Sequence, residues 1–425
     1  MRRLLGWPDK KALAITGLGL LLLGAYTVAL LGPIVAPATP RADDFQDYLW
    51  AAHRIAVGGD PYGNFTRTRV PWDWSLNSGY IYPAVFAAVL VPLTWIGNDL
   101  AVRIWLLFIQ ACVVASVVLI YARIGRPKRG ELLALVAVLT TFFPLINTMW
   151  TGAMNAILLL LLTAGWAAWD RRQDLRSGVL IGLAAVFKVF PVALLPYLAW
   201  RRDWRLVAAA LVTGAAGLLA CLMVTGVDHN LYYFRDVLPH LAGGTGYREN
   251  QSLAGLAARL CQPSTADHGG GAGWCGRLVA WPSTLVLIGL LAVAVRRPVR
   301  SSLEFALAMT ALPLISTVTW SFHLVVLIFP IVVLVRAASE HTASRGQTRL
   351  LLLAWLCFSV GPAAHYALIF APLPSLPGLL DLVPQAATRI AAESYLIGTG
   401  VVFASLWLII RRQRAQAAIP TRLAA

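Results

Sequence analysis

The chain has 425 residues, 59% hydrophobic and 13% charged, and its apolar runs repeatedly exceed the length needed to cross a bilayer. A soluble core of this size is excluded, and the chain reads as an all-α polytopic membrane protein. The formal net charge of +16 sits in short Lys and Arg clusters between the apolar runs, which is the positive-inside pattern and argues against nucleic-acid binding.

Arg2, Arg3, Lys10 and Lys11 precede the first apolar run, Ala12 to Ala36, which is too long for a signal-peptide core and reads as a retained span. The N-terminus is then cytoplasmic. The stretch that follows, Arg41 to Gly63, sets Asp43, Asp44, Asp47 and Asp60 beside a membrane surface. A carboxylate there loses hydration, which makes it a functional candidate; the alternative is that Asp43 or Asp44 caps a helix beginning at Phe45.

Tyr80-Ile-Tyr-Pro83 opens an apolar run to Ile96, and a longer run extends from Leu100 to Ile124. Keeping Arg123, Arg126, Lys128 and Arg129 cytoplasmic requires Tyr82 to Ile96 to be an interfacial helix at the outer face and Leu100 to Ile124 the second span. Glu131 to Trp150 leads out, and Met154 to Trp169 returns to Arg171, Arg172 and Arg176. The next run, Gly178 to Trp200, has basic residues at both ends and carries Lys188 and Pro191 at its middle. Proline removes a helix hydrogen bond, so two half-helices with Lys188 near the turn are expected.

Leu206 to Thr225, Val279 to Val295, Leu303 to Thr319, Leu324 to Val335, Leu350 to Phe370 and Tyr395 to Ile410 complete the pattern. The expectation is one integral domain over residues 1–425, in the plasma membrane, with about ten crossings plus a broken hairpin and both termini cytoplasmic. Three external segments, 37–99, 226–277 and 372–394, hold most of the acidic residues.

Cys112, Cys221 and Cys357 lie in apolar runs and read as packing residues. Cys261 and Cys275 share one polar, Gly-rich loop. They close a small ring if that loop faces an oxidising compartment, and are two unpaired thiols otherwise.

Asp44 and Asp47, Tyr82, Asn147, Gly152, Asn155, Asn250-Gln-Ser252 and Ser316 to His323 interrupt the apolar runs near one membrane boundary. A water-soluble group meeting a lipid-borne one needs carboxylate, amide and imidazole groups at that depth. Asp44 is a candidate general base, because an apolar surface raises a carboxylate pKa toward useful values. His323 is a candidate donor to a phosphate or sugar oxygen, or a histidine satisfied by a backbone carbonyl. Lys188, inside an apolar hairpin, must pair or reach an anion such as a lipid phosphate. No Walker loop, GxSxG or His/Cys cluster at metal spacing occurs. Asn64-Phe-Thr66 and Asn250-Gln-Ser252 match a glycosylation pattern of low specificity, and His268 to Gly273 reads as a flexible loop tip.

Asp44-Phe-Gln-Asp-Tyr48, Tyr82-Pro83, Gly152-Ala-Met-Asn155, Gly182 to Pro191, Asn250-Gln-Ser252 and Ser321-Phe-His323 follow one another in an order that resembles GT-C membrane glycosyltransferases of family 87. The likeness is to actinobacterial polyprenol-phosphate-mannose-dependent α-1,2-mannosyltransferases, including those that extend phosphatidylinositol mannosides, and covers roughly residues 12 to 410. It implies an inverting transfer with Asp44 as base and Lys188 and His323 on the departing donor phosphate. Asp47, Tyr82, Asn155, Asn250, Gln251 and Ser252 would bind substrate.

No cofactor or metal is implied: polyprenyl-phosphate-mannose is a substrate, the acceptor is a membrane glycolipid, and the chain is expected to act as a monomer among membrane lipids. Phe322, Ala84 and Ala153 depart from the family's usual His, Pro and Gln, which leaves open another polyprenyl-phosphate sugar such as an arabinose donor. A lipid or sugar transporter is the alternative from another class. It would require paired halves, which the sequence lacks.

Overall fold

The computed structural model describes residues 17, 20, 21, 23–40, 42–63, 79–262, 271, 273–295, 300–340, 344–370 and 391–423. The basic residues before the first run, the acceptor pattern at Asn64, the loop tip at His268 and most of segment 372–394 lie outside them. Every regular element among the described residues is helical. Helices of seven or more residues are numbered here in chain order.

Helix α1 (Asp43–Ala56) follows the first apolar run, and α2 (Ala84–Leu90) passes through a 3₁₀ turn at Val91–Trp95 toward α3 (Asn98–Ile124). Neither Asp43 nor Asp44 caps α1. The cap position is Ala42, and both carboxylates sit in the first turn, where the helix dipole favours negative charge.

The run expected as one straight crossing from Glu131 to Trp150 is instead α4 (Arg129–Thr141) and α5 (Phe143–Thr151), bent by 49° at Phe142. Pro144 occupies the first turn of α5, where its missing N–H costs nothing, and so starts a new helix. After Gly152 come α6 (Asn155–Asp170) and α7 (Asp174–Phe187). Lys188 is extended, at φ −150° and ψ 124°, and a 3₁₀ turn at Phe190–Leu194 leads into the short helix Leu195–Trp200.

Helix α8 (Trp204–Tyr232) continues past a kink at Gly226 into the segment expected as an external loop. Ser252 caps α9 (Leu253–Cys261) by accepting from Gly255 N at 3.0 Å. The Cys261 and Cys275 sulfurs form a disulfide joining α9 to α10 (Gly273–Ala294). The chain ends with α11 (Ser302–Ile315), a 3₁₀ turn at Ser321–Leu327 running into α12 (Ile328–Ser339), then α13 (Arg345–Phe370) and α14 (Ser394–Leu423).

Five described segments are long and apolar enough to cross a bilayer: Asn98–Ile124, Trp204–Ala242, Gly273–Ala294, Ser321–Ser339 and Ser394–Gln416. A sixth results if the bent pair of α4 and α5 counts as one span. The protein is therefore a polytopic membrane protein.

Ion pairs tie the basic helix ends into one layer. Arg123 at the end of α3 pairs with Asp170 at the end of α6. Glu304, whose side chain is 3% exposed, holds both Arg201 and Arg414. Arg300 reaches Asp174 and Asp203 at 2.8 and 3.0 Å, and Arg336 pairs with the buried Glu131. A buried charge needs such partners, so the layer assembles only when these helix ends lie at one level.

From that layer the 16 residues of α6 rise about 24 Å and the 14 of α7 about 21 Å at 1.5 Å per residue. Asn155 and Lys188, at the far ends of these helices, consequently lie at the same level, opposite the basic layer.

Candidate active site

The turn between α5 and α6 sets the geometry. Gly152 has φ +68°, and a Cβ there would lie 2.9 Å from Phe45 Cβ and 3.0 Å from Ala42 Cβ. Its carbonyl accepts from Trp105 Nε1 at 2.7 Å, and the Trp105 and Phe45 rings stack at 4.8 Å. The absent side chain thus lets the first turn of α1 rest on the start of α6, which brings Asp44 toward Asn155. Replacing Gly152 with Ala should destabilise the protein by about 1–2 kcal/mol through the left-handed backbone alone and push α1 away. A lowered unfolding temperature together with reduced activity would show this; an unchanged temperature would refute it.

Lys188 is the centre of the site. Its Nζ donates to Asn155 Oδ1 at 3.2 Å, lies 2.7 Å from His323 Nε2 and sits 5.1 Å from the centre of the Tyr82 ring. An ammonium has no acceptor capacity, so a charged Lys188 meets the lone pair of Nε2. On the other side of the ring the Trp320 N–H points at Nδ1 at 3.3 Å, and the Val318 backbone lies within hydrogen-bonding reach of the imidazole. His323 therefore aims Lys188. The orientation of Asn155 is set by the same contact, with Oδ1 toward the lysine and Nδ2 away from it.

Asp44 faces this group from α1, which is outside the candidate spans. Burial pushes its carboxyl up to about 7. The Lys188 ammonium pulls the other way, Asp47 and Asp43 add to the rise, and the Tyr48 hydroxyl opposes it. Asp47 is raised to about 6, by burial and then by Asp43. Asp44 Oδ2 is buried and has no hydrogen-bond partner among the described residues. Tyr82 packs edge-on against Tyr48 at 5.3 Å.

A cavity of about 710 Å³ runs from Lys188 and His323 between apolar walls formed by Pro83, Leu195, Leu211, Leu241, Leu312 and Ile315. Val192 and Leu211 on its wall are exposed, as lipid-facing residues of a membrane protein are.

Asn250, Gln251 and Ser252 are not gathered at Lys188. Asn250 Nδ2 donates to the Thr245 and Thr317 carbonyls at 2.7 and 3.0 Å, and its Oδ1 accepts from Thr319 N at 2.9 Å. Gln251 Nε2 donates to the Arg248 and Ala392 carbonyls, while its Oε1 accepts from Leu396 N. Ser252 Oγ donates to Asn250 Oδ1 at 2.9 Å. The Asn250 side chain, Ser252 Oγ and the Gln251 N–H, which donates to the Thr319 carbonyl at 2.7 Å, brace the segment Thr317–Thr319 that precedes His323. Asn250 is fully buried with both amide hydrogens engaged, which closes its glycosylation pattern to modification.

The family model for glycosyltransferase family 87 matches residues 80–317. The chain belongs to glycosyltransferase family 87. That span contains Tyr82, Asn155, Lys188 and the Asn250 brace, while Asp44 and His323 flank it. Over its full length the chain is 27% identical to the polyprenol-phosphate-mannose-dependent alpha-(1-2)-phosphatidylinositol pentamannoside mannosyltransferase of Mycobacterium tuberculosis, covering 93% of that protein. It is 24% identical to the phosphatidylinositol mannoside mannosyltransferases of Mycobacterium tuberculosis and Mycolicibacterium smegmatis. These two matches cover 67% and 76% of this chain, and 68% and 74% of the relatives. No solved structure matches the chain.

Tyr48 is the residue that motif reading passed over. Its position one helical turn after Asp44 was the available signal, because residues four apart share a helix face.

Proposed function

We propose that this family 87 glycosyltransferase moves mannose from polyprenyl-phosphate-mannose to a membrane glycolipid of the phosphatidylinositol mannoside kind. The observation that carries the reading is the apolar cavity ending on Lys188 and His323, with Asp44 facing the same group. An isoprenoid chain suits the walls, and its phosphate suits the lysine. The donors and acceptors named for the mycobacterial relatives have this chemistry.

In the proposed step Asp44 takes the proton of an acceptor hydroxyl while that oxygen attacks the anomeric carbon. The bond from that carbon to the phosphate oxygen breaks, and its electron pair leaves with polyprenyl phosphate. Lys188 stabilises the charge that develops there, and His323 keeps the ammonium aimed. In-line attack inverts the anomeric carbon, so an α-linked product requires a β-configured donor. Tyr82 carries the lysine on its ring face, Asp47 flanks the base, and Asn250, Gln251 and Ser252 act through the segment they brace.

The protein is read as a GT-C-like single integral domain of about ten crossings plus the broken hairpin at Lys188. The basic layer faces the cytoplasm, and the site faces the exterior of the plasma membrane. Segments 37–99, 226–277 and 372–394 are external, the first carrying Asp44.

The test supplies purified protein in liposomes with a glycolipid acceptor and labelled mannose on either polyprenyl phosphate or a nucleoside diphosphate. Transfer from the lipid-linked donor alone is expected. Transfer from the nucleotide sugar would overturn the donor class, and transfer only from a polyprenyl-phosphate arabinose would replace the sugar. Lipid movement across the liposome without any transfer would favour a transporter.

A further inference from the structure

Three buried polar atoms around Lys188 have no hydrogen-bond partner among the described residues: Asp44 Oδ2, Tyr48 Oη and Asn155 Nδ2. Tyr48 and Asn155 are each 1% exposed. Leaving one such group unpaired costs about 1–3 kcal/mol, so folded proteins rarely keep them without a use. Such atoms occur elsewhere among the described residues too, but these three stand together around the lysine of the site.

The three atoms belong to one neighbourhood. Asn155 is anchored through Oδ1 to Lys188, which turns Nδ2 away from the lysine. Tyr48 lies edge-on to the Tyr82 ring that carries the lysine, and its hydroxyl sits beside the Tyr82 hydroxyl, the Asp44 carboxyl and the backbone of Met154, next to Asn155. The Tyr48 ring also packs against Phe86 at 5.2 Å and Trp105 at 6.2 Å, and these contacts do not involve its hydroxyl.

We propose that Tyr48 Oη and Asn155 Nδ2 bind the donor sugar's hydroxyl adjacent to the anomeric carbon, making Tyr48 a specificity-determining residue of this site. The inference rests on the proposed transfer. With the phosphate on Lys188 and the acceptor oxygen on Asp44, the anomeric carbon lies between them, and the substituents of the neighbouring ring carbon fall beside that line. Asn155 Nδ2 donates to the oxygen of that hydroxyl, and Tyr48 Oη exchanges a second hydrogen bond with it. A site built to pair a hydroxyl rejects a substrate lacking it, because its own buried groups then stay unpaired.

The experiment compares wild type with Tyr48→Phe, using polyprenyl-phosphate-mannose and its 2-deoxy analogue as donors. Wild type should favour the parent donor by about 100-fold or more in kcat/KM. In Tyr48→Phe that preference should narrow by about tenfold or more, whatever common loss both donors suffer from removing the hydroxyl beside Asp44. Unfolding temperature should stay level or rise, since the ring contacts remain and an unpaired hydroxyl is removed. A purely structural hydroxyl would instead lower the unfolding temperature and leave the donor ratio unchanged, and either result would overturn the assignment. If wild type transfers mannose but the ratio does not move, only this inference fails; if wild type transfers no sugar from any polyprenyl phosphate, the proposed reaction fails and takes the inference with it.

Discussion

Replacing Asp44 with Asn should lower the proposed mannosyl transfer by about 10²–10⁴-fold, the contribution of a positioned general base, while the protein still folds and still binds the lipid-linked donor. The amide keeps the shape of the carboxyl but cannot take the acceptor proton. Labelled transfer by the purified variant, beside a donor-binding measurement, checks this. Full activity would move the base elsewhere, with Asp47 next to be tested.

The pH dependence has a defined sign. Asp44 acts as base only when unprotonated, and burial raises it to about 7. Activity should therefore climb with pH through a limb near 7 and lose that limb in Asp44→Asn. The groups facing it are Lys188, Asp43, Asp47, Tyr48 and Tyr82. Stability runs the other way. The folded carboxyl holds its proton more tightly than an unfolded one at 3.8, so its contribution is fully present below that value and is lost as pH rises through about 7. At pH 8 the Asn variant should unfold at the same temperature as wild type or higher. A clearly less stable variant would mean that the carboxylate has a structural partner.

Lys188→Met should reduce kcat/KM by about 10²–10³-fold, the usual cost of removing one donor from a developing negative charge. Methionine retains an unbranched apolar stem and loses only the ammonium. Arginine should not rescue the activity, because a planar guanidinium cannot reproduce a point charge held between Asn155 Oδ1 and His323 Nε2. Polyprenyl phosphate should raise the unfolding temperature of wild type and not that of Lys188→Met. Undiminished transfer by Lys188→Met would remove the phosphate role assigned to this residue.

Some of this architecture is local and therefore readable in the sequence. Pro191 lacks an N–H, so a helix break beside Lys188 follows from one residue. The length of each apolar run and the basic residues at its end depend only on composition, and they yield a polytopic membrane protein without reference to contacts. The order of short motifs from Asp44 to His323 carries the family in the same way.

What the sequence leaves open depends on residues far apart in the chain. The bend at Phe142 separates two helices within a run that is continuously apolar. Gly152 matters because Phe45 and Ala42 arrive from another element. Asn250, Gln251 and Ser252 read as polar residues near a boundary, whereas folding turns each side chain to a carbonyl or amide of the chain itself. Sequence alone determined that this is a polytopic membrane protein with the motif order of family 87, and it singled out Asp44 and Lys188 as candidates. Only the tertiary structure decided which polar groups are consumed by the fold and which, as Asn155 Nδ2, have no hydrogen-bond partner among the described residues, because a hydrogen bond between distant segments exists only once burial has brought them together.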